Sequence, residues 1–130
     1  EVSRRLAGVS RGYACWIEGG MPVLRPAFWD VERGVVTVAP TSGRPRLGAP
    51  GALVVEWHHR FRPSQMVGAC LRGVFGPAGD VSAISDRYGI ETSQVPAVID
   101  LKTERVTSWR GFAITTGVPR GARQLRVANE

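Results

Sequence analysis

Apolar and polar positions alternate along most of this chain in short runs, each closed by glycine or proline. YACWIEG (13–19) ends at Gly19-Gly20, and MPVLRPAFWDV (21–31) follows as its hairpin partner. Glu32-Arg33-Gly34 reads as the next turn, and GVVTVAP (34–40) as a buried strand. ALVVEWHHRF (52–61) and MVGACLRGVFG (66–76) are two longer strands. VPAVIDLKTERVTSWRGFAIT (95–115) holds one or two more, with a break expected near Lys102-Thr103-Glu104. Period-two patterning in segments this short predicts strands.

Helical spacing occurs twice. SRRLAGVS (3–10) allows a turn or two, and VSAISDRYG (81–89) spaces Val81, Ile84 and Tyr88 by three and four. Asp80 stands where a helix N-cap belongs and Gly89 where a C-cap does. The resulting expectation is a mainly β protein: a six-stranded split barrel with one or two short helices. Closing the sheet removes the exposed edges such strands would otherwise leave. No repeat or linker divides residues 1–130, so a single domain is expected.

Composition supports this reading. The chain has 16 glycines and 9 prolines as punctuation, and 43% hydrophobic residues suffice for a core. The run GALVVEW is too short to span a bilayer, and the first residues lack a signal peptide's apolar centre. Cys15 and Cys70 are too few for a disulfide scaffold or a metal cluster. They read as reduced, buried, small hydrophobes, which gives a cytoplasmic expectation.

The net charge is +6, and Lys102 is the one lysine among 17 basic residues. Arginine suits bidentate contacts to phosphate or carboxylate, so an anionic partner is implied. The arginines are scattered, with a patch only in PRGARQLR (119–126), so nucleic acid is the secondary expectation and a membrane is not expected.

Several familiar sites are absent. Gly43–Gly48 frames G-x-x-x-x-G, but Ala49-Pro50 replace the lysine and hydroxyl of a P-loop. His58 and His59 are strand neighbours facing opposite ways, which excludes joint ligation of one metal. No G-x-S-x-G motif or carboxylate pair identifies a catalytic residue, so any chemistry would be a cofactor's. The stretch APTSGRPRLGAP (39–50) is the best candidate for binding. Its hydroxyls, backbone N–H groups and arginines can cradle a phosphate, with Arg25 nearby in a strand. Pro45 removes one donor from that cradle. Trp29, Trp57 and Trp109 are available to line a flat ligand.

These features resemble the FMN-binding split-barrel family typified by pyridoxamine 5'-phosphate oxidase, over roughly residues 13 to 112. ACWIEGGMPVLRPAFW matches its first hairpin, with Gly20-Met21-Pro22 as the turn. Thr41-Ser42-Gly43-Arg44, Leu47, Pro50 and Ala52-Leu53-Val54-Val55 match its phosphate loop and following strand in order. Leu71-Arg72-Gly73 and Glu104-Arg105-Val106-Thr107-Ser108-Trp109 match two later strands. Asp30 stands where the oxidases have a lysine, which argues against pyridoxamine phosphate as substrate.

The resemblance implies a homodimer with FMN at the subunit interface and an unknown small-molecule second substrate. Arg25, Ser42 and Arg44 would bind phosphate, with Thr41 beside them and Arg46 solvated. Pro26-Ala27 and Ala39-Pro40 would pass backbone near the isoalloxazine ring, and Trp109 would pack beside it. The implied activity is a flavin-dependent oxidoreductase. The alternatives are a deazaflavin-dependent reductase, a haem-linked member, a non-catalytic binding or interaction module with a degenerate site, and a basic barrel that binds nucleic acid.

Overall fold

The computed structural model describes residues 11–32, 35–58, 61–94 and 97–118. Seven strands and a short helix follow in chain order. They are β1 (Gly12–Glu18), β2 (Met21–Glu32), β3 (Val35–Pro40), β4 (Pro50–Trp57), β5 (Val67–Pro77), α1 (Ser82–Tyr88), β6 (Ile99–Arg110) and β7 (Ala113–Gly117). The strands form one antiparallel sheet in the order β3-β2-β1-β4-β5-β6-β7. Pairing of β3 with residues 99–102 of β6 closes six strands into a barrel. The second half of β6 turns to β7 instead, which splits the barrel wall.

Alternation fills the interior. Trp16, Trp29, Val38, Leu53, Phe75 and Leu101 point inward and are buried. Trp16 and Phe75 meet edge to face at 6.4 Å. Gly51 makes room for this pair: a β-carbon there would stand 1.9 Å from Phe75 Cε2.

Lys102-Thr103-Glu104 does not break the strand. It forms a bulge within a continuous β6, where Arg72 faces Arg105 but Gly73 faces Thr103. An extra residue on one strand kinks the sheet without ending it. Only glycine fits opposite, because a β-carbon on Gly73 would lie 1.8 Å from the Lys102 carbonyl oxygen. The real turn comes at Gly111, at φ 58°, before β7.

The helix ends as expected at Gly89, whose φ is 65° and whose N–H donates to the Ser85 carbonyl. Its start differs. Val81 occupies the cap position, and Asp80 instead accepts from the Ser82 N–H and hydroxyl in an Asx turn.

Helix α1 completes the hydrogen bonding of β2. Pairing with β1 covers residues 21–26 only. Beyond that, the Tyr88 hydroxyl accepts from the Trp29 N–H (3.3 Å) and donates to the Trp29 carbonyl (2.9 Å). Arg87 donates to the same carbonyl, lies 4.1 Å over the Trp29 ring and pairs with Asp30 at 3.7 Å.

Cys15 and Cys70 are free thiols, but they are half-buried rather than core residues. Alternation with Ala14, Trp16, Ala69 and Leu71 turns both to the outer face of the sheet. The expected N-terminal helix, Arg33-Gly34, His59 and the basic segment 119–126 lie outside the described residues. No helix among the described residues is long and apolar enough to cross a membrane.

Candidate functional site

Residues 41–49 leave β3 and cross one end of the barrel. The Thr41 N–H donates to the Pro26 carbonyl at 2.9 Å, extending the β2–β3 ladder by one bond. At the far end the Gly48 N–H reaches the Phe75 carbonyl, and the Phe75 N–H returns to the Ala49 carbonyl. Gly43, at φ 75°, rests against the edge of Trp16. Pro45 is buried, so this ring anchors the loop and has no N–H to satisfy.

Arg44 and Arg46 flank Pro45 and are exposed. Both line a cleft of about 340 Å³, floored by Trp16, Ile17 and Ala49 and edged by Glu18. Two guanidinium groups at one cleft can neutralise a phosphate and hydrogen-bond its oxygens.

Trp16 and Ile17 also wall a larger groove of about 590 Å³ on the outside of the sheet. Cys15, Leu24, Pro22 and Ala52 make its surface almost wholly apolar, and the neighbouring exposed Arg72 and Arg105 stand along it. Arg72 donates to Thr107 Oγ1 at 3.0 Å. Burial, and secondarily the neighbouring Cys70, pushes the Cys15 thiol up, so it stays protonated at neutral pH. The Trp16 indole is 5% exposed, and its N–H has no hydrogen-bond partner.

The expected site residues divide three ways. Pro26, Ala27, Ala39, Pro40 and Thr41 come together where β2 and β3 pair, but Ala39 and Pro40 are fully buried. Thr41, Ser42 and Arg44 are exposed on the loop. Arg25 is half-buried in β2, opposite Ala14, and donates to the Leu24 carbonyl. Trp109 lies elsewhere. It sits over Gly68, donates to Glu56 Oε2 at 3.2 Å, and belongs to the second half of β6, outside the lining of both the groove and the arginine cleft.

Sequence reasoning missed Trp16, Ile17, Leu24 and the shared cleft of Arg46. A usable signal existed in β1. Tyr13, Cys15 and Ile17 are apolar on the face opposite Ala14 and Trp16, and a strand apolar on both faces expects a cover on both. Among the described residues, no group of three or more His, Cys, Asp or Glu could hold a metal ion.

No family model matches this chain, and no curated protein matches it by sequence. Solved structures do. A FAD-binding protein from Mycobacterium smegmatis matches with a TM-score of 0.61 at 15% identity, over 84% of this chain and 92% of that one. A haem-binding protein from the same organism gives 0.64 at 14% identity, over 91% of this chain and 57% of that one. A Clostridium acetobutylicum protein of the pyridoxinephosphate oxidase family, related to a general stress protein, gives 0.55 at 10% identity, over 88% and 89%. The fold is therefore the pyridoxamine 5'-phosphate oxidase-like split barrel, an architecture found in flavin- and haem-binding proteins.

Proposed function

We propose that this chain binds a flavin nucleotide, with the ring in the apolar groove and the phosphate between Arg44 and Arg46. One observation carries the reading: the groove and the two-arginine cleft adjoin, sharing Trp16 and Ile17 as their common wall. A flat apolar ring with an anionic tail needs that combination. FMN is the ligand proposed here. The FAD bound by neighbouring folds and a deazaflavin coenzyme share its ring shape and phosphate, so they are arms of the same titration.

The second part of the proposal is a homodimer. Tyr13, Ile17 and Leu24 are 43–60% exposed on the outer side of the first hairpin. Apolar surface gathered in this way favours a protein contact.

Bound flavin would supply electron or hydride transfer, making the protein an oxidoreductase with an unknown second substrate. The chain's part is to hold the ring in an apolar, water-poor groove and to anchor the phosphate. Haem fits less well. Among the described residues, Cys15 is the one sulfur or imidazole group lining the groove.

The test is a fluorescence titration with FMN, FAD and deazaflavin, paired with light scattering for oligomeric state. Saturable quenching by FMN supports the reading. Absence of binding by all three at high micromolar concentration refutes it.

A further inference from the structure

At the other end of β4 from the arginine loop, two turns meet. One carries Phe61 and Arg62 into a 3-10 turn at 63–65, and the other is Arg110-Gly111-Phe112 between β6 and β7. The Gly111 N–H donates to the Met66 carbonyl at 2.8 Å. Gly111 also lies so close to Ser64 that a β-carbon would stand 2.8 Å from its carbonyl oxygen. The turns are thus fixed against each other.

This junction joins two aromatic–arginine pairs that are far apart in sequence. Phe61 is 79% exposed and Phe112 is 86% exposed, with Arg62 and Arg110 exposed beside them. A recess of about 320 Å³ opens between the turns, lined by Ser64, Gln65, Val67, Arg110 and Gly111.

We propose that this end of the barrel binds a single strand of nucleic acid. Bases would stack on Phe61 and Phe112, while Arg62 and Arg110 meet backbone phosphates. Exposed aromatics beside arginines are the working parts of sequence-tolerant single-strand binding. A net charge of +6 adds long-range attraction to a polyanion. An anionic lipid surface would also attract these phenylalanines and arginines. The recess favours nucleic acid, because Ser64 and Gln65 can hydrogen-bond base edges and offer nothing to acyl chains.

The test is fluorescence anisotropy of a labelled oligothymidylate, at low salt and along a salt series. Binding is expected, and its affinity falls as salt rises. Phe61→Ala and Phe112→Ala should each weaken it by about tenfold. Both side chains are exposed, so the double variant should keep its fold and its flavin binding. Three results overturn the proposal: no anisotropy change at low salt, binding that survives both phenylalanine substitutions, or binding to phosphatidylserine vesicles with none to the oligonucleotide.

Discussion

Gly43 lies against Trp16: a β-carbon on Gly43 would stand 3.4 Å from Trp16 Cζ2. This contact ties the arginine-bearing loop to Trp16, a residue that lines both the groove and the cleft. Gly43 also holds φ 75°, a region that costs an L side chain strain. Gly43→Ala is therefore expected to lose about 1 kcal/mol and several degrees of melting temperature. Thermal denaturation checks this, and an unchanged midpoint would show the loop is not seated on Trp16.

Arg44 and Arg46 are exposed and line one cleft. Arg44→Ala and Arg46→Ala should each weaken FMN about tenfold, the scale of one charge-assisted hydrogen bond. Riboflavin lacks the phosphate, so its affinity should be the same for the parent and both variants. Titrations of the two ligands in parallel separate phosphate anchoring from general damage to the groove.

Tyr88 serves both backbone groups of Trp29 through one hydroxyl. Tyr88→Phe leaves the N–H without that partner and should cost about 1–3 kcal/mol in urea unfolding. Burial also raises the Tyr88 phenol above its ordinary value of 10.0. The folded state then holds this proton more tightly than the unfolded chain. The associated stability is present below pH 10.0 and is lost as pH rises through the folded value. The Phe variant should lack this component of alkaline sensitivity.

Gly51 sits under the Phe75 ring and near the Cys15 carbonyl oxygen, at 1.9 and 2.8 Å from a would-be β-carbon. Gly51→Ala must push apart β1, β4 and the core ring together. A loss of about 3 kcal/mol is expected, visible as reduced soluble yield and a lowered urea midpoint.

The strands and a closed barrel were legible because turn residues punctuate the chain at Gly19-Gly20 and Pro40–Pro50, and because the apolar runs alternate. Strand order was not, since β1 pairs with β4 and β3 with β6 where a meander was expected. Nor was the bulge. Lys102-Thr103-Glu104 is polar enough to suggest an end, and only the packing of Gly73 against the Lys102 carbonyl shows that the strand continues. The phosphate-binding expectation for Arg44 rested on local sequence, and the loop does present Arg44 to a cleft. The groove was harder to see, because Cys15, Leu24, Ala52 and Arg72 become one row only through the β2-β1-β4-β5 register. Period-two patterning tells which residues share a face of one strand, but not which strand lies beside it.

The most direct test of the proposed site uses the two thiols. Cys15 lines the groove, and Cys70 shares the outer face without lining it. Burial raises both thiols above 9.0, so alkylation should be slow at neutral pH and measurable as pH climbs past that value. The rate at each cysteine is read by mass spectrometry, with and without saturating FMN. The account predicts that FMN slows alkylation of Cys15 and leaves Cys70 as it was. Bound FMN with Cys15 unprotected, or with Cys70 alone protected, would contradict it.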